Sequence, residues 1–287
     1  MNNMLLRTLS GAVYVLIIVA ATLAGPIYFA ALIALLTVLG ILELEKMLST
    51  RAYVPVAARV WDCIVPVLTI IASAGMALAP MFRGQGYTLF DIGIAMLLVA
   101  MLYLPVRMMI AVMSRSAEPA RAMLYSALSM TYVFVPLLML LLSYGFAGPR
   151  ATLALFIFIW LNDTGAYLSG RAFGRNKLCE RLSPKKTWEG FWGGFALTVA
   201  AGLVAAHIIG GGTGTAYILW TLYAAAVSVA GTYGDLFESL LKRTLGLKDS
   251  GNMIPGHGGI LDRIDSLLAV SPLALLMTLL TFLTSLL

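Results

Sequence analysis

Ala151–Leu168 reads ATLALFIFIWLNDTGAYL, an apolar run carrying Asn162 and Asp163 near its end. Its length is near the roughly 17–25 residues that a helix needs to cross about 30 Å of hydrocarbon. Eight further stretches have the same character, near residues 8–24, 26–42, 60–79, 88–106, 123–144, 190–209, 215–232 and 266–287. Short polar blocks separate them, and few helices show the amphipathic stripe of a soluble domain. Composition agrees: 61% of the 287 residues are hydrophobic, 11% are charged and the mean hydropathy is +0.94. A soluble domain carries about 25% charged residues. The chain reads as an all-α polytopic membrane protein of about nine helices, in a single integral membrane domain with N-terminal helices over 1–150 and a polar-block half over 151–287.

Charge placement sets the expected orientation. With the N-terminus cytoplasmic, 17 of the 19 basic residues fall on inner segments, leaving only Arg83 and Arg150 outside. That is the bias of the positive-inside rule. The first stretch, with Arg7 ahead and Ala24-Gly25 behind, has features of a signal peptide. The charge pattern is satisfied with it retained as a span. The net charge of +6 lies in juxtamembrane loops facing anionic lipid, so it does not point to nucleic acid. Cys63 and Cys179 lack metal-site spacing and read as ordinary thiols. Glu43, Glu45 and Lys46 read as a solvated helix end.

Three polar blocks follow residue 160. Asn162 and Asp163 sit inside an apolar span, where a carboxylate costs about 2.5–3.5 kcal/mol on insertion scales, so a functional role is expected. An interhelical hydrogen bond is the structural alternative. The stretch Ser183-Pro184-Lys185-Lys186-Thr187-Trp188-Glu189-Gly190 supplies point charges and hydroxyls suited to a polyphosphate, although the same residues serve to start a helix. The richest block lies between 233 and 265. On a helix, Asp235, Glu238 and Lys242 share one face, as do Asp262 and Asp265. Facing carboxylates hold hard cations such as Mg²⁺, which keeps phosphate and water as its remaining ligands. Glycines on both sides of His257 permit close backbone approach to a phosphate. Acids beside bases indicate a metal–phosphate site.

The run Ser239-Leu-Leu-Lys242-Arg243, then Lys248-Asp249, then Ile254-Pro-Gly-His257-Gly-Gly-Ile-Leu-Asp262-Arg263-Ile-Asp265 resembles the signature of the phosphatidate cytidylyltransferases. The blocks at 163–174 and 183–190 are similar to that family's other recurrent segments. The likeness covers residues 160–266. The resemblance implies transfer of CMP from CTP to phosphatidate, giving CDP-diacylglycerol and diphosphate, with magnesium and a monovalent cation such as K⁺. It also implies a homodimer in the cell membrane with its site open to cytoplasm and lipid. On this resemblance Asp235, Asp262 and Asp265 are the metal ligands. Lys185, Lys186, Lys242, Arg243 and Lys248 neutralise phosphate, and His257 positions by hydrogen bonding. Asn162, Asp163, Thr187, Glu189, Ser239, Asp249 and Arg263 complete the expected substrate-binding set. Related chemistry leaves alternatives: a CTP-dependent lipid kinase, or a CDP-lipid synthase acting on another lipid. An ion-coupled transporter is the alternative outside enzymes, but the polar residues crowd onto one face and no inverted repeat is visible.

Overall fold

The computed structural model describes residues 3–78, 89–114, 116–251, 253 and 258–286. Nearly all of its regular structure is helical: α1 (Asn3–Ala24), α2 (Pro26–Leu48), α3 (Val56–Leu78), α4 (Leu89–Met113), α5 (Pro119–Ser129), a π-helical turn (Met130–Phe134) and α6 (Val135–Phe173). A two-stranded hairpin, β1 (Lys177–Cys179) and β2 (Ser183–Thr187), precedes α7 (Trp188–Ile208), α8 (Gly214–Thr244) and α9 (Leu261–Leu286). The hairpin is the one addition to the all-α expectation among the described residues.

Six described helical segments are long and apolar enough to cross a membrane. One of them, Pro119–Phe173, runs 55 residues. At 1.5 Å per residue a straight helix of that length would reach about 80 Å, far beyond the hydrocarbon thickness of about 30 Å. The backbone breaks where it must: Gly148 adopts φ 78°, a conformation that favours glycine, and Pro149 begins the next stretch. Two shorter apolar segments lie at Leu9–Ala24 and Met101–Met113. Many large apolar side chains, such as Leu16, Met101, Ile218 and Leu222, are exposed on the helices, as a lipid-facing exterior requires. The chain is a multi-pass membrane protein.

The chain divides into two compact units. The first comprises residues 1–145 with 249–262. Here α2 packs against α1, α3 and α5, and Phe29 stacks on Tyr144 with ring centroids 4.3 Å apart. This unit also holds a charged interior. Glu45 is fully buried and pairs with Arg59 at 3.3 Å, while buried Asp62 accepts from Tyr103 Oη at 2.9 Å and faces Arg107 Nε at 3.9 Å. Arg107 Nε donates to Ser126 Oγ at 3.1 Å.

These contacts correct two expectations. Glu43 and Glu45 are not a solvated helix end; they are 2% and 0% exposed. Arg59 and Arg107, two of the 17 basic residues assigned to inner segments, lie within α3 and α4. In a low-dielectric interior such charges persist only when paired, and pairing is what the neighbouring helices supply. Arg83 and Arg115 lie outside the described residues.

The second unit comprises residues 146–248 with 263–287. Small residues set its helix spacing, as is common where lipid supplies no hydrophobic drive. On α7, Gly202 sits against Ala224 and the backbone of Trp220, and on α8 Gly234 sits against the backbone of Asp265 and Ser266. Ser266 Oγ donates to the Gly231 carbonyl at 3.0 Å, tying α9 to α8.

Candidate active site

In the second unit the α6 segment after the break and the start of α7 approach through glycine. A Cβ on Gly165 would lie 3.0 Å from the backbone of Gly193 and Gly194, and one on Gly190 would lie 2.8 Å from the Ala166 carbonyl. The link between the two helices is the hairpin, with Lys177 opposite Thr187 and Cys179 opposite Ser183. Lys177 Nζ donates to the Pro184 carbonyl at 2.7 Å, bracing the turn. Thr187 then caps α7, its Oγ1 accepting from Gly190 N at 3.2 Å. Capping and close packing together fold the Ser-Pro-Lys-Lys-Thr segment back over the end of α6.

A cavity of about 480 Å³ results, lined by residues that include Asn162, Asp163, Arg171, Lys185, Lys186, Thr187 and Asp235. Lys186 Nζ lies 2.5 Å from Asp235 Oδ2. Asp163 and Asp265 both lie within electrostatic reach of Asp235 and of Lys186, and Arg263 acts on Asp163. Three carboxylates, Asp163, Asp235 and Asp265, thus lie within electrostatic reach of Lys186.

Asn162 is held from behind. Its Oδ1 accepts from Ser228 Oγ at 2.5 Å and its Nδ2 donates to Thr232 Oγ1 at 3.5 Å. Thr232 in turn donates to the Ser228 carbonyl. Asn162 therefore makes the interhelical hydrogen bonds of the structural alternative, and both Asn162 and Asp163 line the cavity.

The other expected site residues divide clearly. Ser239 Oγ donates to Asp235 Oδ1 at 3.5 Å. Glu189 does not line the cavity; its carboxylate accepts from Arg175 N at 3.1 Å and from Asn176 Nδ2 at 2.8 Å, fastening the chain that leaves α6. Lys242 pairs with Glu238 one helical turn away, and Arg243 Nη1 donates to the Leu247 carbonyl at 3.3 Å. Neither lines the cavity, nor does Lys248, which is exposed. In the first unit, Asp249 is exposed, and Asp262 Oδ2 accepts from Gly259 N at 2.9 Å and Ser250 N at 3.3 Å. His257 lies outside the described residues.

Sequence reasoning passed over Ser228 and Thr232, and it read Glu43 as part of a solvated helix end. The first two were visible as hydroxyls four apart in an otherwise apolar span. Glu43 accepts from Ile260 N at 2.8 Å and Leu261 N at 3.2 Å, and from Ser250 Oγ. No local pattern foretold that partner, more than 200 residues away in the chain.

The donor set around Asp235 suits a hard divalent cation: carboxylate oxygens are the ligands such an ion selects. Among the described residues no group of three acidic, histidine or cysteine side chains already stands at metal-binding geometry. What fits is the chemistry, with Lys186 supplying positive charge beside Asp235.

Comparison with known proteins finds similar chains. A phosphatidate cytidylyltransferase of Haemophilus influenzae is 46% identical over 125 residues, 42% of each chain. One from Pseudomonas aeruginosa is 49% identical over 120 residues, and one from Staphylococcus epidermidis is 44% identical over 128. The matched stretches span 44% and 48% of those two relatives, so the similarity reaches less than half the length of each. The profile of the cytidylyltransferase family extends further, over residues 5–281, and on that match the chain belongs to the cytidylyltransferase family.

Proposed function

We propose that the chain is a phosphatidate cytidylyltransferase, forming CDP-diacylglycerol and diphosphate from CTP and phosphatidate. The observation that carries this is the convergence of Lys185, Lys186, Asp163 and Asp235 on one cavity in a multi-pass membrane protein of this family. The relatives named above carry the same activity in their names.

The reaction joins two anions. A phosphate-monoester oxygen of phosphatidate attacks the α-phosphorus of CTP, a new P–O–P bond forms, and the bond to the β-phosphate breaks with its electrons leaving on diphosphate. The attacking phosphate is already ionised at neutral pH, so no strong general base is needed. The barrier is charge, which preorganised cations lower. Lys185 and Lys186 bind the triphosphate and offset charge on the departing diphosphate. Arg171, at the same cavity, is placed to hold a second phosphate. Bound Mg²⁺ supplies Lewis-acid stabilisation of the phosphoryl oxygens, and Asp235, Asp262 and Asp265 are its proposed ligands, with a monovalent cation such as K⁺ as the expected companion.

The further reading is of nine spans, N-terminus cytoplasmic, in the cell membrane, with the cavity facing the cytoplasm, and of a homodimer. The break at Gly148 and the apolar segments at Leu9–Ala24 and Met101–Met113 support nine spans. The 17-to-2 partition of basic residues supports the orientation.

The deciding experiment is radiolabelled CTP with phosphatidate in detergent, with and without magnesium. A labelled CDP-lipid formed only with magnesium is expected. A phosphorylated lipid product would make the chain a lipid kinase, and no CTP-dependent product would refute the assignment.

A further inference from the structure

Glu43 lies in α2, in the half of the chain that carries none of the phosphate-binding blocks, yet its carboxylate is spent on the start of α9. Oε2 accepts from Ile260 N at 2.8 Å; Oε1 accepts from Leu261 N at 3.2 Å and from Ser250 Oγ. The first amides of a helix have no partner within it, and negative charge is stabilised there. Glu43 supplies both from another helix while 2% exposed. The fit is close. A Cβ on Gly251 would lie 3.0 Å from Glu43 Oε2, and one on Gly259 would collide with Oε1. Asp262 Oδ2 grips the same two strands of chain, accepting from Ser250 N and Gly259 N. Two residues along α2, on nearly the opposite face of the helix, Glu45 is anchored to Arg59 of α3. The rotation of α2 that turns Glu43 towards Gly259–Leu261 is therefore held by an ion pair on its other side.

We propose that Glu43 is a positioning residue for Asp262, fixing the Gly259–Leu261 turn so that the Asp262 carboxylate stands in its working place. This rests on the reading of Asp262 as a metal ligand of the cytidylyltransferase. Outer partners of metal ligands typically govern affinity or activity by about 10–100-fold.

Glu43→Gln is the discriminating variant. It keeps the shape but leaves one oxygen to serve donors that now occupy two, and turns an amide towards a backbone N–H. The expected results are a fall in kcat of about tenfold or more, a higher magnesium requirement and a CTP KM changed less than about threefold. Hydrogen exchange should rise in the peptide holding Ile260 and Leu261 while α2 and α3 peptides keep their protection. Ser250→Ala, which removes one of the three hydrogen bonds, should give a smaller change in the same direction, and it decides the matter if the first variant does not insert. Unchanged kcat with unchanged exchange overturns the proposal, and so does exchange that rises throughout α2–α5, because Glu43 would then be a general stabiliser. A wild-type protein that makes no CDP-lipid defeats the cytidylyltransferase reading instead, and leaves the exchange comparison to judge the clasp.

Discussion

Asp235 is the side chain on which the cavity's polar contacts concentrate: it lines the cavity, contacts Lys186, accepts from Ser239 and interacts with Asp265. Asp235→Asn preserves shape and removes the anionic oxygen that a hard cation and Lys186 both require. Turnover should fall by about 10²-fold or more, since lost electrostatic stabilisation at a reacting phosphate is of that size, while the purified protein keeps its thermal midpoint in detergent. A variant retaining over a tenth of wild-type rate at saturating magnesium would remove Asp235 from the ligand set. Lys186→Ala probes the other side of that pair. On the proposed reaction the ammonium meets the incoming triphosphate, so KM for CTP should rise more than KM for phosphatidate; a rise for phosphatidate alone would reassign the lysine to the lipid headgroup. Glu189 shows why residue type was an incomplete guide. An acid beside two lysines has the look of substrate chemistry, but the turn after α6 leaves amides at Arg175 and Asn176 that need an acceptor. That demand is set by chain geometry, which no spacing rule displays.

The hairpin and the glycine-packed start of α7 bring the first two polar blocks onto one cavity, which Asp235 of α8 also lines. Gly194→Ala tests the packing: its Cβ would stand 2.6 Å from the Asn162 carbonyl and 2.9 Å from Asn162 Oδ1, so backbone must move. Overpacking of this kind costs about 1–3 kcal/mol, and it would displace Asn162 and Asp163 together. A lower thermal midpoint with a more than tenfold loss of CTP turnover is expected. Gly145→Ala is the control, because nothing lies within 4 Å of the added Cβ and alanine favours a helix interior by about 1 kcal/mol. Loss of activity in both variants would show that glycine flexibility, not close approach, is what matters. Helices were legible at this scale because apolar runs are local: the stretch 190–209 became Trp188–Ile208, and 26–42 lengthened to Pro26–Leu48. The extensions are informative. Glu43 and Glu45 looked like the end of a span because acids normally mark one, and they are buried because Ile260, Leu261 and Arg59 supply partners from elsewhere. Which amides and guanidinium groups reach a buried acid is decided by tertiary packing, and that information is spread over the whole chain.

For the whole molecule, orientation decides whether the mechanism can operate. The segments 169–189 and 233–265 carry the candidate phosphate-binding groups and ten of the basic residues, Arg171 to Arg263. The bias of such residues towards the cytoplasm is strongest in short loops, and CTP is supplied only there. Cysteines introduced as Arg175→Cys and Lys248→Cys should therefore be shielded from an impermeant thiol reagent in intact cells, and should label once the membrane is opened. Arg175 and Lys248 are both exposed, so shielding would not come from burial within the protein. Arg150→Cys and Gly212→Cys should label from outside; Gly212 lies in the turn between α7 and α8, and Arg150 follows the break at Gly148. Cys63 and Cys179, neither fully buried, are replaced first to clear the background. Labelling of Lys248→Cys in intact cells would defeat the orientation and, with it, the supply of CTP to the site. Opposite sides for Arg175→Cys and Lys248→Cys would be as damaging, because α8 carries Asp235 onto the cavity lined by Lys186, and the chain on either side of that contact must then open to one compartment.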